Sequence, residues 1–305
     1  MRNVFFKQLL EQMRKDKTIF FVVADMGLGL VEPIQKEFPE RFINVGIAEQ
    51  NMIGISAGLC NAGFRPVCYT ISNFLIQRCY EQIRNDICLH HYPVVLVGTS
   101  TGYDNGGLGP THQVIDDIGC IKVFPYMNIY SPSTIASVRI VFEDIFKHKN
   151  PSYVRIGKGS LDLPSKQMDL NQMVTEKEGT PLLVITHGTM LENCLKAVGT
   201  DGGFSLYCMN KIKPLERDEM SDVFLQYPKI LVVEDHIVSS GLYNLLSQFL
   251  VESKLYTTEL YSLAPPEGYE RTVGDKNYFA DKYGLTPEKI RNYTAELLKQ
   301  SAVAG

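Results

Sequence analysis

The stretch RPVCYTISNFLIQRCYEQIRNDICLHHYPVVLVGTS, residues 65–100, decides the fold. Its two ends, RPVCYTI (65–71) and PVVLVGTS (93–100), are short apolar runs that read as buried strands. Between them NFLIQRCYEQIRNDICLHH (73–91) reads as a long helix. A strand, a helix and a second strand in so short a span make a βαβ unit, and its strands run parallel. The same rhythm extends outward. TIFFVVAD (18–25), MNIYSPS (127–133) and PSYVRIG (151–157) read as strands, and NMIGISAGLCNAG (51–63), QVIDDIGCIK (113–122) and TIASVRIVFEDIFKH (134–148) as helices. Polar, Gly- and Pro-containing KGSLDLPSKQMDLNQMVTEKEG (158–179) breaks the rhythm as a linker or surface excursion. The rhythm resumes with strands at TPLLVITHG (180–188), FSLYCMN (204–210), KILVVEDH (229–236) and TTELYSL (257–263). Helices are expected at TMLENCLKAV (189–198), GLYNLLSQFLVES (241–253) and, capped by Thr286, TPEKIRNYTAELLKQ (286–300). The expected fold is α/β in two domains, each a mostly parallel sheet flanked by helices: 1–165, a linker at 166–180, and 181–305.

Bulk properties narrow the function. The 305 residues, 45% hydrophobic, suffice for two full cores. A net charge of −4 is unlike the basic face of a nucleic-acid binder. No apolar run is long enough to span a bilayer, and the N-terminal stretch reads as an amphipathic helix rather than a secretion signal, so a cytoplasmic protein is expected. Seven cysteines, an odd number without a C-x-x-C pair, read as reduced core residues; no metal ligand set is assigned.

Ligands of parallel sheets gather at the carboxyl ends of the strands. Three such exits are polar or glycine-rich: ADMGLG (24–29), GTSTGYDNGGLGPTHQ (98–113) and THGTM (186–190). The second delivers His112 on a flexible turn, suited to proton transfer. It is neither a P-loop nor a dinucleotide fingerprint. Elsewhere, INVGIAEQNMIGISAGL (43–59) sets Glu49 among Val45, Ile47, Ala48, Met52 and Ile53. That carboxylate either satisfies helix amides or is buried for a chemical purpose.

FINVGIAEQNM, ISNFLIQRCYEQIRND and GPTHQ, in this order and spacing, resemble the pyrimidine-binding domain of transketolase and of its relative 1-deoxyxylulose-5-phosphate synthase. KILVVEDHIVSSGL and YGLTPEKI are similar to the family's C-terminal domain, so the resemblance covers nearly the whole chain. It implies the C-terminal subunit of a split transketolase, which would transfer two-carbon ketol or acyl units and depend on thiamine diphosphate and Mg2+. The diphosphate and the metal would be held mainly by an N-terminal partner subunit, in an assembly of two chains of each kind. Glu49 then corresponds to the carboxylate at N1′ of the cofactor's aminopyrimidine, promoting its imino tautomer, and Phe74 to the aromatic stacked on that ring. Asp25 and Met26 correspond to the acidic–apolar pair near the thiazolium. His112 corresponds to the proton donor beside the substrate carbonyl.

The departures from the family pattern concern the sugar substrate. By the resemblance, an aspartate that contacts the C2 hydroxyl of the sugar is replaced by Leu108, a phosphate-binding histidine by Ser100, and a phosphate-binding serine by Gly29. By the resemblance Arg155 is the phosphate ligand that remains. Phosphate is held well by several convergent cations and poorly by one. An atypical acceptor is therefore expected, such as a nucleotide-linked keto-sugar. Two alternatives stay open: the β-subunit of a 2-oxo-acid dehydrogenase, and a non-catalytic scaffold. His187, Glu234, Asp235 and His236 at exits of the second domain are read as structural or interfacial.

Overall fold

A computed structural model describes residues 1–163, 169–199 and 203–302. The first sheet is built from β1 (Ile19–Val23), β2 (Phe42–Asn44), β3 (Arg65–Ile71), β4 (Val95–Thr99), β5 (Asn128–Tyr130) and β6 (Ser152–Ile156). The second contains β7 (Asn171–Thr175), β8 (Leu182–Thr186), β9 (Ser205–Met209), β11 (Lys229–Val233) and β12 (Glu259–Leu263); β10 (Lys211–Lys213) crosses back to the first. The orders are β10-β5-β6-β4-β3-β1-β2 and β12-β11-β8-β9-β7. All pairings are parallel except β10 with β5 and β7 with β9.

The strand sequences explain the layering. β1 is buried along its whole length. Phe20 and Val22 face one core, and Ile19, Phe21 and Val23 the other, so a continuous apolar run serves two helix-covered faces. The chain leaves β1 for β2 on one side, then returns to β3 on the other. The crevice between β1 and β3 is thus a topological switch point, the place where open parallel sheets seat ligands.

Two expectations are revised. Asn171–Thr175, placed in the linker, is the antiparallel edge strand of the second sheet. Its side chains are mostly half-buried, which an edge strand tolerates and which hides it from a search for apolar runs. Residues 166–168 of that linker lie outside the described residues. The long helix expected over 73–91 is broken: Ser72–Ile76 is helical, residues 77–79 interrupt it, and Ile83–Cys88 is a π-helical turn.

The two halves share one core, in which Phe20, Ile118 and Ile129 pack with Leu183, Met209 and Leu242. A buried polar cluster lies at the same junction. Arg155, on β6, is 1% exposed. Its Nε donates to Asp117 (3.0 Å), its Nη1 to Asp235 (3.3 Å) and its Nη2 to the Val114 carbonyl (2.9 Å). Tyr153 donates a further bond of 2.6 Å to Asp117. His236 Nε2 lies 3.6 Å from Asp117. Glu234 accepts from His187 and from the Leu242 and Tyr243 amides at a helix start. Gly102 closes the junction, because at its φ of +56° a Cβ would stand 1.9 Å from the Asp235 carboxylate.

Burial pushes the Asp235 carboxyl up, but Arg155, Lys276 and His187 outweigh it and leave it below the ordinary range. Glu234 is likewise low, because His187, His236 and the Tyr243 amide outweigh its burial. Burial lowers His236 despite Asp117 and Glu234 beside it. The signs agree. Below His236's ordinary value of 6.5 the unfolded chain takes a proton that the folded chain refuses, so stability falls. Below about 4.5 the unfolded carboxyls protonate before the folded ones, and stability falls further. The urea midpoint should therefore drop as pH is taken from about 6.5 to about 5. A flat midpoint over that interval would contradict this account.

Candidate active site

The exits of β2, β3 and β4 bring three of the expected residues into one row. Glu49 opens the helix Glu49–Asn61 immediately after the β2 exit. It is 3% exposed and caps nothing: the N-cap is Ala48, without a side-chain cap bond. Its partner is Arg78, whose Nη1 donates to Oε2 at 2.6 Å. The Arg78 guanidinium in turn lies over the Phe74 ring, 4.4 Å from its centroid. On the other side the Phe74 and His112 rings meet edge to face at 5.2 Å.

Local sequence explains each placement. Phe74 lies in the short helix Ser72–Ile76 that β3 runs into. Arg78 follows Phe74 by four residues, the spacing at which helical side chains meet, and Gln50 Nε2 donates to the Arg78 carbonyl at 2.9 Å. His112 ends a short 3-10 turn, Pro110–His112. Asn73 clamps that turn, its Nδ2 donating to the carbonyls of Thr111 (3.2 Å) and Gln113 (2.8 Å). Thr111 Oγ1 lies 2.9 Å from His112 Nδ1. Sequence reasoning misses Asn73, although it sits inside the motif, because nothing local marks an amide as a clamp across a 38-residue gap.

The remaining expected residues scatter. Asp25 and Met26 stand at the β1 exit, in a groove shared with Leu28, Val31, Glu32 and Phe42. The Asn44 side chain ties that exit to the next by accepting from the Asp25 and Gly46 amides. Gly29 is exposed, and its amide donates to Glu32. Leu108 is 62% exposed on the His112 loop. Ser100, by contrast, is buried. Arg155 is a correction to the sequence reading: its guanidinium is enclosed by Asp117, Asp235 and the Val114 carbonyl, so no face is left for a substrate phosphate. The exposed cation at the same strand exit is Lys158, whose Nζ donates to the Asp104 carbonyl and to Asn105 on the His112 loop.

Cysteine chemistry has no place here. All seven cysteines are free, and burial pushes the Cys79 thiol, beside the site, up to about 12. Among the described residues no cluster of His, Cys, Asp and Glu could hold a metal ion. No helix among them is long and apolar enough to cross a membrane.

The comparisons with known proteins bear on this geometry. Residues 1–164 match the transketolase pyrimidine-binding domain and residues 171–290 the transketolase C-terminal domain. The chain belongs to the transketolase family. That family depends on thiamine diphosphate. Among curated relatives is one named subunit of the apulose-4-phosphate transketolase of Actinobacillus succinogenes. The chain is 28% identical to it, over 94% of this chain and 95% of that one. It is 27% identical to 1-deoxy-D-xylulose-5-phosphate synthase of Rhodopirellula baltica, over 96% of this chain. Of that longer protein it spans 46%, about half the length. A solved split-gene transketolase, described as an inactive β4 tetramer, superposes with a TM-score of 0.84 at 25% identity, covering 98% of this chain and 97% of that one.

The site's residues fit an aminopyrimidine. A flat cationic group already lies on Phe74 and pairs with buried Glu49, which are the two contacts such a ring requires. Beside it the buried Gln113 amide has neither atom hydrogen-bonded, nor has Asn73 Oδ1.

If Asn73 is the clamp, Asn73→Ala frees the turn. Amide exchange over residues 109–113 should quicken by about tenfold or more, with the unfolding midpoint moved only slightly. Unchanged exchange there would show that the turn holds itself.

Proposed function

We propose that this chain is the C-terminal half of a two-chain, thiamine-diphosphate-dependent transketolase that transfers a two-carbon ketol or acyl unit. The observation that carries the reading is the row Glu49–Phe74–His112, drawn from three strand exits beside the switch point of the sheet. The relatives of matching length are each named as one subunit of a transketolase, which supports the two-chain organisation. The Mg2+ and the diphosphate fall to the partner subunit, in a complex of two chains of each kind.

When bound, thiamine diphosphate supplies the carbon nucleophile that carries the two-carbon unit. This chain's side chains hold and shield the reacting groups. Glu49, almost wholly removed from water, would hold the ring nitrogen of the aminopyrimidine by a hydrogen bond and favour the imino form the chemistry requires. Phe74 presents a flat apolar face that fixes the ring's plane. His112, held by Asn73, donates a proton to the substrate's carbonyl oxygen as negative charge grows there. Asp25 and Met26 line the neighbouring exit and would face the thiazolium end of the cofactor.

The acceptor is an atypical keto-sugar. Leu108 offers no hydrogen bond to a sugar hydroxyl, Ser100 and Arg155 are buried, and Gly29 has no side chain. An anionic group on the substrate would meet Lys158 or the partner's cations. The relatives named for apulose 4-phosphate make keto-sugar phosphates the first substrates to assay, as donor and as acceptor.

Calorimetric titration of thiamine diphosphate with Mg2+ tests the reading, on the chain alone and mixed with an adjoining-gene partner. Tight binding should occur only in the mixture, and Glu49→Gln should cut transfer by about 10²–10⁴-fold. Tight binding to the chain alone would refute the split site. A complex that assembles yet binds no cofactor would make the chain a scaffold.

A further inference from the structure

The contact between Arg78 and Glu49 carries more than the fit of a ring. Arg78 joins the two groups assigned to the aminopyrimidine: it donates to Glu49 at 2.6 Å and covers Phe74 at 4.4 Å. The partners differ sharply in exposure, with the Glu49 side chain at 3% and that of Arg78 at 42%. We infer that Arg78 is a displaceable placeholder, holding the Glu49–Phe74 seat in the free chain and giving it up to the cofactor's ring.

Glu49 cannot be left without a partner, because a buried carboxylate lacking one is strongly unfavourable. A guanidinium is suited to the role. It is flat, always charged, stacks on an aromatic face and hydrogen-bonds through its edge. It also stands on a long stem at the surface, so on leaving Glu49 its charge passes into water rather than into the core. The backbone makes the exchange local. Residues 77–79 lie outside regular helix, and the Arg78 carbonyl is anchored by Gln50 whatever its side chain does. Burial keeps the Cys79 thiol protonated beside the pair, so no second anion competes with Glu49 for Arg78.

The functional consequence is coupling to assembly. A ring that must first displace Arg78 binds more weakly by the fraction of time the seat is free. The pyrimidine end is then retained only when the diphosphate end is anchored by the partner. This rests on the reading of Glu49 and Phe74 as the ring seat.

The test is equilibrium and stopped-flow binding of thiamine diphosphate with Mg2+ to the assembled complex, comparing the native chain with Arg78→Ala and Arg78→Lys. Lysine keeps the charge for Glu49 but cannot lie flat on Phe74. Arg78→Ala should bind about tenfold tighter than the native complex, mainly through faster association, with Arg78→Lys between them. Unphosphorylated thiamine should become measurable as a ligand in Arg78→Ala. Native-like or weaker binding in both variants, with the native complex binding normally, would overturn the placeholder and leave the ring seat intact. Failure of the native complex itself to bind would overturn both. If Arg78→Ala does not assemble, the lysine variant decides alone, by tighter or unchanged binding.

Discussion

Arg155 is the constraint on which the arrangement rests. It is buried at the junction of the two domains, and its charge is met by Asp117 from one and Asp235 from the other. Removing either partner of such a pair would strand a charge, at a cost of about 3–5 kcal/mol. The two domains are therefore held in one relative orientation. The same guanidinium binds the Val114 carbonyl, and Gly102 packs on Asp235. Both ends of the loop that carries His112 are thus fixed to the junction, so the geometry of the first domain's site depends on the second. A role for the second domain follows without any of its side chains entering the row.

The site itself follows from a second buried charge. Glu49 lies at a helix start, yet it caps no amide. Its charge is answered from across the crevice by Arg78, and the pair organises Phe74 between Glu49 and His112. Two large apolar side chains stand exposed near this row, Leu28 at 95% and Ile47 at 78%, at the exits of β1 and β2. Exposed side chains of that size beside a site suit a protein contact.

Much of this was legible in the sequence, for identifiable reasons. Strands buried on both faces leave continuous apolar runs, so the alternation of β1, β3, β4 and β6 with helices could be read directly. Glu49 stood out because a carboxylate among apolar residues needs an explanation, and His112 because a glycine-rich exit delivered it. His187, Glu234, Asp235 and His236, read as structural, do lie in the buried junction. What was missed depends on long-range geometry. β7 is an edge strand without an apolar run, and the break at 77–79 leaves no trace in helical periodicity. Arg155 looked available because a lone arginine within a strand gives no sign of Asp117 and Asp235 arriving from 38 and 80 residues away. Arg78 was passed over for the same reason: in the sequence it is one more cation on a helix.

The most direct test of the central claim is a crystal structure of this chain with its partner subunit, thiamine diphosphate and Mg2+. The account expects the aminopyrimidine on Phe74 with its ring nitrogen on Glu49, Arg78 turned away, and Arg155 still enclosed by Asp117 and Asp235. A ring seated elsewhere, with Arg78 still on Glu49, would contradict it.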